Sequence, residues 1–273
     1  MGLSDAEGLF GPGSVSWRVD RELVVLAGGS CALLLQAAHP AVAAAVAEHS
    51  SYRTDPFGRL FRTLDSSFCV AFGTRTDALA TIARVNAIHR SVRGAIPETG
   101  EPYSALDPDA LLWVHATLVD TALRVYESWV APLTAAEREA YHREALRVAT
   151  LLGVAEETAP ATLVELRAWM DRQVADGVIA VTDTAREVAR TILRPTRLVP
   201  GTWWDAAHLV SLATLRPDLR RQYGLRWSEA RQRGVERMAR ASRAVLPRLP
   251  RILRDVPQSR AAERRVRAVR SAA

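Results

Sequence analysis

Apolar side chains recur every three or four positions through most of the chain, and alternation with a period of two is scarce. The first spacing marks one face of an amphipathic α-helix, whereas the second would indicate strands. We therefore predict an all-α fold in a single compact domain, residues 1–246, followed by an Arg-rich C-terminal extension, residues 247–273. The predicted helices, about ten in number, span residues 19–38, 40–48, 57–72, 77–92, 108–130, 134–152, 160–176, 183–194, 203–213 and 226–246.

Local sequence marks several of the helix ends. Asp55-Pro56 and Asp107-Pro108 each place a proline in the first turn, where an α-helix makes no use of the missing N–H. Thr134-x-x-Glu137 is the pattern of a capping box. Residues 95–106 contain two prolines and a glycine, so we predict a loop there.

One uncharged stretch, Leu23 to Ala47, is 25 residues long, which is enough to span a bilayer. Gly28-Gly29 and His39-Pro40 interrupt it, and alanine dominates its second half. We therefore predict a buried core helix that breaks at Pro40. The first residues lack the basic segment of a signal peptide. A cytoplasmic protein without a transmembrane segment is expected.

The charge of the chain is unusual in kind and in placement. All 36 basic residues are arginine, so no lysine is available as a Schiff-base amine or as a metal ligand. Residues 216–273 hold 17 arginines against 5 acidic residues, while residues 1–215 hold 19 against 25. A basic segment of this kind suits nucleic acid, an anionic membrane surface or the acidic body of the same chain. Its aromatic residues, Tyr223 and Trp227, both lie at its start, which disfavours nucleic acid.

Motifs for several other chemistries are absent from the sequence. Cys31 and Cys69 do not form a CxxC pair and lie in apolar surroundings, which indicates buried free thiols. The chain has neither an HExxH zinc motif nor a G-x-S-x-G nucleophile elbow. Glu139-x-x-His142 is its one ExxH pair, so a ferritin-like di-iron site is disfavoured.

Two of the six histidines lie on predicted apolar faces. His89 follows Ile82 and Val85 at helical spacing, and His115 shares a face with Leu111 and Leu118. His142 has polar neighbours and is predicted at the surface, while the environment of His208 stays open. An inward histidine can be a hydrogen-bonded core residue or a cofactor ligand, and the pattern alone does not separate these two interpretations.

The helix predicted at 57–72 carries a polar stripe opposite an apolar one. Arg59, Arg62, Thr63 and Ser66 are spaced for one face, and Phe57, Leu60, Phe61, Leu64 and Phe68 for the other, which is predicted to be core. The polar stripe fits a solvated face. It also fits an arginine fork held over an anion or a bound oxygen species, with the threonine hydroxyl as its partner.

Five ordered blocks of this sequence resemble one oxygenase family, which includes bacterial rubber oxygenase (latex-clearing protein) and the fungal MpaB oxygenase of mycophenolic acid biosynthesis. The resemblance covers about residues 12–240. The blocks are Leu33-Leu34-Leu35-Gln36-Ala37-Ala38-His39-Pro40, Glu48-His49-Ser50, Asp55-Pro56 with Gly58-Arg59-Leu60-x-Arg62-Thr63, His89-Arg90-Ser91-Val92-Arg93-Gly94, and Leu112-Trp113-Val114-His115-Ala116-Thr117-Leu118.

The resemblance implies a noncovalent haem b in a globin-related helical core, and cleavage of a carbon–carbon double bond in an isoprenoid by dioxygen. It makes His89 the proximal iron ligand and places Arg59 and Thr63 on the distal side, where the arginine would orient or polarise dioxygen. Arg62, Arg93 and His115 become candidates for the propionates or for groups behind the ligand. Glu48 is the nearest upstream carboxylate for the base of the family's reaction. In rubber oxygenase a lysine at the position of Arg62 can cap the iron. A guanidinium stays protonated and is a poor iron ligand, so we do not expect such a capped state here.

The sequence is compatible with three function classes. The first is a haem-dependent oxygenase that acts on a hydrophobic, isoprenoid-like small molecule. The second is a haem-binding sensor or carrier without turnover. The third is a helical interaction module without a cofactor, in which the basic segment binds an anionic partner. The sequence leaves homo-oligomerisation and peripheral contact with anionic membranes open.

Overall fold

The backbone is built almost wholly from helices, so the all-α prediction is confirmed. The computed structural model describes residues 3–196, 198 and 200–272, so the outermost residues of both predicted ranges lie outside it. The described residues form fifteen α-helices instead of about ten. They are α1 (Val15–Asp20), α2 (Gly29–Ala37), α3 (Pro40–His49), α4 (Pro56–Phe72), α5 (Arg75–His89), α6 (Pro108–Trp129), α7 (Ala135–Leu151), α8 (Leu163–Ala175), α9 (Asp183–Leu193), α10 (Gly201–Ala207), α11 (Leu209–Thr214), α12 (Pro217–Gln222), α13 (Glu229–Val245), α14 (Arg251–Arg254) and α15 (Pro257–Ala272).

The helix ends follow the capping signals of the sequence. Asp55 accepts a hydrogen bond from the Gly58 N–H at the start of α4, and Asp107 caps α6 in the same way. Thr134 and Glu137 form the predicted capping box at the start of α7. These ends were predictable because each cap depends on residues within one turn of the helix start.

The helix predicted over 19–38 is interrupted, which corrects the expectation of one continuous element. The chain leaves α1 at Asp20, passes through a 3₁₀ helix at Leu23–Gly28 and restarts as α2 at Gly29. The cause is a close approach to α6, because a Cβ atom at Gly28 would lie 2.8 Å from Val125 and 2.9 Å from Thr121. The predicted break at Pro40 is present, with Pro40 in the first turn of α3.

A short antiparallel hairpin replaces part of the loop predicted at 95–106. Strands β1 (Arg93–Ala95) and β2 (Pro102–Ser104) pair with Gly94 opposite Tyr103. The turn between them closes through the Ile96 N–H, which donates to the Glu101 carbonyl at 2.8 Å. Strands of three residues give too little alternation to be recognised in a sequence, so the hairpin was missed.

Helix α6 forms the centre of the core and packs against α2, α7, α8 and α13. Trp113 and Leu123 of this helix are fully buried, and the Trp113 indole N–H donates to the Leu35 carbonyl at 2.8 Å. Within the described part of the chain, no single helix is long and apolar enough to cross a membrane. The bent pair Leu23–Ala37 and Pro40–His49, with 107° between its halves, reaches the required length and composition only when both halves are combined.

The C-terminal helix α15 packs against the N-terminal region and α4. The Arg265 guanidinium donates to the carbonyls of Ala6 and Phe72, and Arg270 pairs with Glu7. The basic segment therefore contacts the acidic body of its own chain, which is one of the three partners that the charge distribution left open.

A buried ion cluster fastens this C-terminal segment at Asp255. The Asp255 carboxylate is fully buried and accepts a hydrogen bond from Arg251 Nε at 2.7 Å. Nitrogen atoms of Arg254 and Arg21 lie 3.7 Å and 3.9 Å from the same carboxylate. Glu22, also buried, lies 3.7 Å from Arg254, and its burial raises the pKa of its carboxyl group.

We expect Asp255→Ala to lower the free energy of unfolding by about 3–5 kcal/mol, because it removes the acid that three arginines share inside the protein. Denaturant unfolding followed by circular dichroism measures the change. The control is Glu156→Ala, at an exposed loop position, which should change stability by less than about 0.5 kcal/mol. Equal stabilities for the two variants would contradict the assignment of Asp255 as the anchor of the cluster.

Candidate active site

Helices α4 and α5 form a hairpin whose two members contact each other near their connection. Only Gly73 and Thr74 separate them, and Thr74 caps α5 by accepting from the Asp77 N–H. Close to this connection the Thr81 hydroxyl donates to Cys69 Sγ at 3.2 Å. Arg59 and Thr63, about two to three turns before Cys69, and the last turn of α5 therefore lie away from the joined end.

The apolar stripe of α4 was predicted to be core, and the structure corrects this for its N-terminal half. Phe57, Leu60 and Phe61 are exposed, the last by 61%, and Ile88 on α5 is 57% exposed. Only the end of α4 near the connection is covered, where Phe72 packs edge-on against Trp17 with ring centroids 5.2 Å apart. The hairpin thus leaves a set of large apolar side chains uncovered on the helices that carry the predicted site residues.

Arg59 and Thr63 contact each other on α4. Arg59 Nη1 donates to Thr63 Oγ1 at 2.7 Å, and Arg59 Nε donates to Ser50 Oγ at 3.2 Å. The Thr63 hydroxyl in turn donates to the Arg59 carbonyl at 2.9 Å. Burial, with a smaller contribution from Arg62, lowers the pKa of Arg59, although the guanidinium stays charged at neutral pH. The arrangement therefore holds a partly desolvated positive charge without a carboxylate partner among the described residues.

Arg62, one turn away, is engaged elsewhere. Its guanidinium donates to Asp55 Oδ2 at 3.0 Å and to Ser51 Oγ at 2.8 Å, and the side chain is mostly exposed. The contact with Asp55 ties Arg62 to the cap of its own helix. A role toward a cofactor would require Arg62 to exchange these partners.

His89 is the last residue of α5 and is half buried. Its Nδ1 atom is buried and has no hydrogen-bond partner among the described residues. Burial lowers the pKa of His89, so the imidazole is neutral at physiological pH and keeps a free lone pair. Because a buried polar atom without a partner costs stability, such an atom calls for an explanation.

Glu48 lies at the end of α3 and contacts the β1–β2 hairpin, which follows His89 in the chain. Its Oε2 accepts from the Tyr103 hydroxyl at 2.6 Å. Burial and this carboxylate raise the pKa of Tyr103 above its usual range. A Cβ atom at Gly94 would lie 2.5 Å from Glu48 Oε2 and 2.8 Å from the Tyr103 hydroxyl oxygen, so the glycine of the His-x-x-Val-Arg-Gly block makes room for this pair. Ser50 connects the same end of α3 to Arg59, while Glu48 itself makes no described hydrogen bond to Arg59 or Thr63.

The strand that contains Arg93 is fixed through its backbone. The Arg93 carbonyl oxygen lies 3.2 Å from His49 Nε2, which places the proton of that ring on Nε2. The Arg93 side chain is exposed, and its guanidinium has no ion-pair partner within the described ranges. This arginine is therefore available to an anionic group.

His115 lies on the face of α6 toward α7. Its Nε2 is buried and has no partner in the described part of the chain. Burial first, and repulsion from His142 second, lower its pKa to about 4. His142, predicted at the surface, is fully buried, and its Nε2 lies 2.9 Å from the Pro160 carbonyl. The polar neighbours of His142 misled the prediction because they project to other sides of α7.

Sequence reasoning missed an aromatic series beside α4. Phe57 lies 6.4 Å from the Trp204 ring, and Trp204 stacks on His208 with centroids 6.1 Å apart. The His208 Nδ1 atom lies 2.9 Å from Ser30 Oγ. No local signal could have revealed this contact, since 178 positions separate its two residues.

Both cysteines are free, Cys31 buried and Cys69 half buried, and burial raises the pKa of Cys31 to about 12. Among the described residues, no group of three or more His, Cys, Asp or Glu side chains is arranged to hold a metal ion. The site thus offers single ligands on separate elements and no preformed cage of protein ligands.

The fold and the site together define an all-α protein with a polar pair, a neutral imidazole and uncovered apolar residues on one helical hairpin. The family model described as ER-bound oxygenase mpaB/B'/Rubber oxygenase, catalytic domain, matches residues 17–244. The chain belongs to this oxygenase family. The resemblance of the five sequence blocks to this family is therefore confirmed, and the matched region ends just before the C-terminal segment.

Two mycobacterial proteins are similar to this chain. They are the uncharacterized protein Mb2261 of Mycobacterium bovis and the uncharacterized protein Rv2237 of Mycobacterium tuberculosis. Each is 32% identical over 187 residues, which cover 66% of this chain and 71% of the relative. No solved structure matches this chain significantly.

Proposed function

We propose that the protein is a haem b-dependent oxygenase that uses dioxygen on a hydrophobic small molecule of the isoprenoid class. The observation that carries this proposal is the neutral His89 imidazole, whose buried nitrogen has no hydrogen-bond partner among the described residues. It lies on the same helical hairpin as the Arg59–Thr63 pair and the uncovered apolar residues of α4 and α5. The membership of the chain in an oxygenase family gives this arrangement its chemical context.

The residues present fit a noncovalently bound haem. A porphyrin supplies four of the iron ligands, so a single neutral imidazole suffices from the protein, and His89 offers one. Phe57, Leu60, Phe61 and Ile88 offer apolar surface for the ring. The free guanidinium of Arg93 suits a propionate. His115 and Arg62 remain the other candidates for the propionates or for support behind the ligand.

Haem would supply the dioxygen chemistry, and the chain would supply position and charge. Ser50 and Thr63 accept hydrogen bonds from the Arg59 guanidinium and hold it beside α4, where its charge is partly shielded from water. In that environment a fixed positive charge stabilises developing negative charge on oxygen more strongly than it would in water. Thr63 fixes the direction of the Arg59 Nη1 group. Its hydroxyl proton is donated to the Arg59 carbonyl, and it would become a second donor on exchanging that partner.

Glu48 is the carboxylate that we assign to proton acceptance. The Tyr103 hydroxyl holds Oε2, while Oε1 makes no hydrogen bond within the described residues. The hydrogen bond from Tyr103 holds the Glu48 carboxyl group in place and leaves Oε1 as the atom that would accept a proton. The same contact fixes the hairpin of β1 and β2 directly after His89.

The test combines a spectrum with a product analysis. Protein expressed with ample haem should show a Soret band and, with dioxygen and an oligoisoprenoid, give fragments with carbonyl ends. One alkene and one dioxygen yield two carbonyl groups, so labelled dioxygen should appear in both fragments without any external reductant. Haem without an oxygen-dependent product would favour a sensor or carrier instead. Protein that takes up no haem would refute the proposal.

A further inference from the structure

The segment from Arg237 to Ala262 carries a one-sided charge. It contains seven arginines, and its single acidic residue is Asp255, which is fully buried. The segment contains no aromatic residue. The surface that it presents to solvent therefore has only positive formal charges.

Helix α13 turns a mixed apolar and basic side toward solvent. Val235 and Ala239 are buried, and the Ser242 hydroxyl donates to the Trp129 carbonyl of α6 at 2.8 Å. Met238 and Val245, seven positions apart, are both about half exposed on the solvent side. Arg237 and Arg240 are exposed beside them.

Helix α14, separated from the end of α13 by five residues, also exposes large apolar side chains. The helix is anchored to the buried ion cluster, because Arg251 and Arg254 both pair with Asp255. Ile252 and Leu253 face the other way and are 67% and 62% exposed. The anchored helix thus exposes two adjacent large aliphatic side chains to solvent.

The arginines around these residues are free of acidic partners in the described part of the chain. Arg248 donates to the Ala244 carbonyl, and Arg260 donates to the Ile252 carbonyl at 3.2 Å, which places its guanidinium stem beside the aliphatic pair. Arg251 and Arg254, in contrast, are paired with the buried carboxylates of Asp255 and Glu22. The charges of Arg237, Arg240, Arg248 and Arg260 are therefore not neutralised by a described acidic residue and are available to an external anion.

We propose that this basic apolar face, formed by Met238, Val245, Ile252, Leu253, Arg237, Arg240, Arg248 and Arg260, binds the surface of an anionic lipid bilayer. Aliphatic side chains enter the interface between headgroups and acyl chains, while arginines contact lipid phosphates. Isolated exposed apolar residues are ordinary, but four large ones interleaved with unpaired arginines form the two-part surface that such an interface requires.

Charge and composition favour a lipid surface over the other candidate occupants of this face. A second copy of the chain would oppose arginine to arginine across a symmetric interface. A nucleic acid would meet the arginines but leave Ile252 and Leu253 in water, and it would find no aromatic side chain for stacking. An anionic bilayer satisfies both components, and it also dissolves hydrophobic molecules of the kind that we propose as substrates.

The experiment is co-sedimentation of the full chain with vesicles. One set contains only phosphatidylcholine, and the other contains equal parts of phosphatidylcholine and phosphatidylglycerol. We expect binding to the second set, weakened by added salt because exposed charges are screened. Equal binding to neutral vesicles, or no binding to either set, would overturn the proposal.

Matched variants separate the two components of the face. The double change Ile252→Ser and Leu253→Ser should lower the partition coefficient of the protein between water and the anionic vesicles. The control Val164→Ser, at a residue 74% exposed on α8, should leave this coefficient unchanged. Arg237→Gln with Arg240→Gln should lower it on the order of tenfold. Arg143→Gln with Arg147→Gln, two exposed arginines on α7, is the control for net charge.

Two further outcomes would also overturn the proposal. The first is a tighter association with double-stranded DNA than with the anionic vesicles at the same ionic strength. The second is a concentration-dependent dimer that the Ile252→Ser and Leu253→Ser changes abolish, because the face would then belong to a second copy. Circular dichroism and thermal unfolding of each variant verify that its helix content and stability match those of the unmodified protein.

Discussion

Replacement of His89 by alanine is expected to abolish haem binding while the helical fold persists. His89 is half buried at the end of α5 and its side chain makes no described hydrogen bond, so its truncation to alanine removes no side-chain hydrogen bond within the described residues. Even residues that only support a metal ligand contribute about 10–100-fold to affinity, so loss of the ligand itself should exceed about tenfold. The measurement is the Soret absorbance per protein after expression with equal haem supply.

Two controls accompany the His89 variant. Imidazole added to His89→Ala should restore the Soret band, because the space left by the side chain admits the free ligand. His208→Ala removes another half-buried histidine with a lowered pKa and should keep its haem. A His89→Ala protein that retains full haem without imidazole would remove the basis of the proposed function.

The second large effect is expected at Arg59. Arg59→Gln keeps a hydrogen-bond donor on α4 but removes the partly desolvated charge that Ser50 and Thr63 hold in place. Loss of one preorganised electrostatic group costs about 10²–10³-fold in turnover in other enzymes. We expect a fall of that size in oxygen-dependent product formation, with the Soret band retained.

The matched control for Arg59 is Arg53→Gln. Arg53 lies just before α4, is exposed and pairs with Glu187 at 2.7 Å, so its loss removes a similar charge outside the site. Turnover of the Arg53 variant should stay near that of the unmodified protein. Loss of haem from Arg59→Gln, or equal turnover in both variants, would contradict the distal assignment.

The structure shows where helical periodicity predicts burial and where it does not. The apolar stripe of α4 is continuous in the sequence, yet Phe72 at one end is buried by Trp17 while Phe61 near the other end is exposed. Periodicity identifies which residues share a face, but a face is buried only where a second element covers it. His142 gives the converse case, because polar neighbours surround a side chain that α7 turns into the protein.

Some contacts of the candidate site can be predicted from local sequence, and others depend on the tertiary structure. The contact of Arg59 with Thr63 follows from their spacing of four residues on one helix. The contact of Glu48 with Tyr103 joins residues 55 positions apart, and that of His208 with Ser30 joins residues still further apart. Such pairs depend on how helices are placed against each other, which no local pattern contains.

The sequence by itself determined the helical class, the capped ends of α4, α6 and α7, the polar pair on α4 and the family. These features depend on residues within a few turns of one another, or on blocks of sequence that can be compared directly. The tertiary structure alone decided that the His89 Nδ1 has no hydrogen-bond partner within the described ranges, that Asp255 pairs with the inner arginines, and that Ile252 and Leu253 face solvent. The physical reason is that burial and partnership are properties of two surfaces in contact, and a sequence pattern describes only one of them.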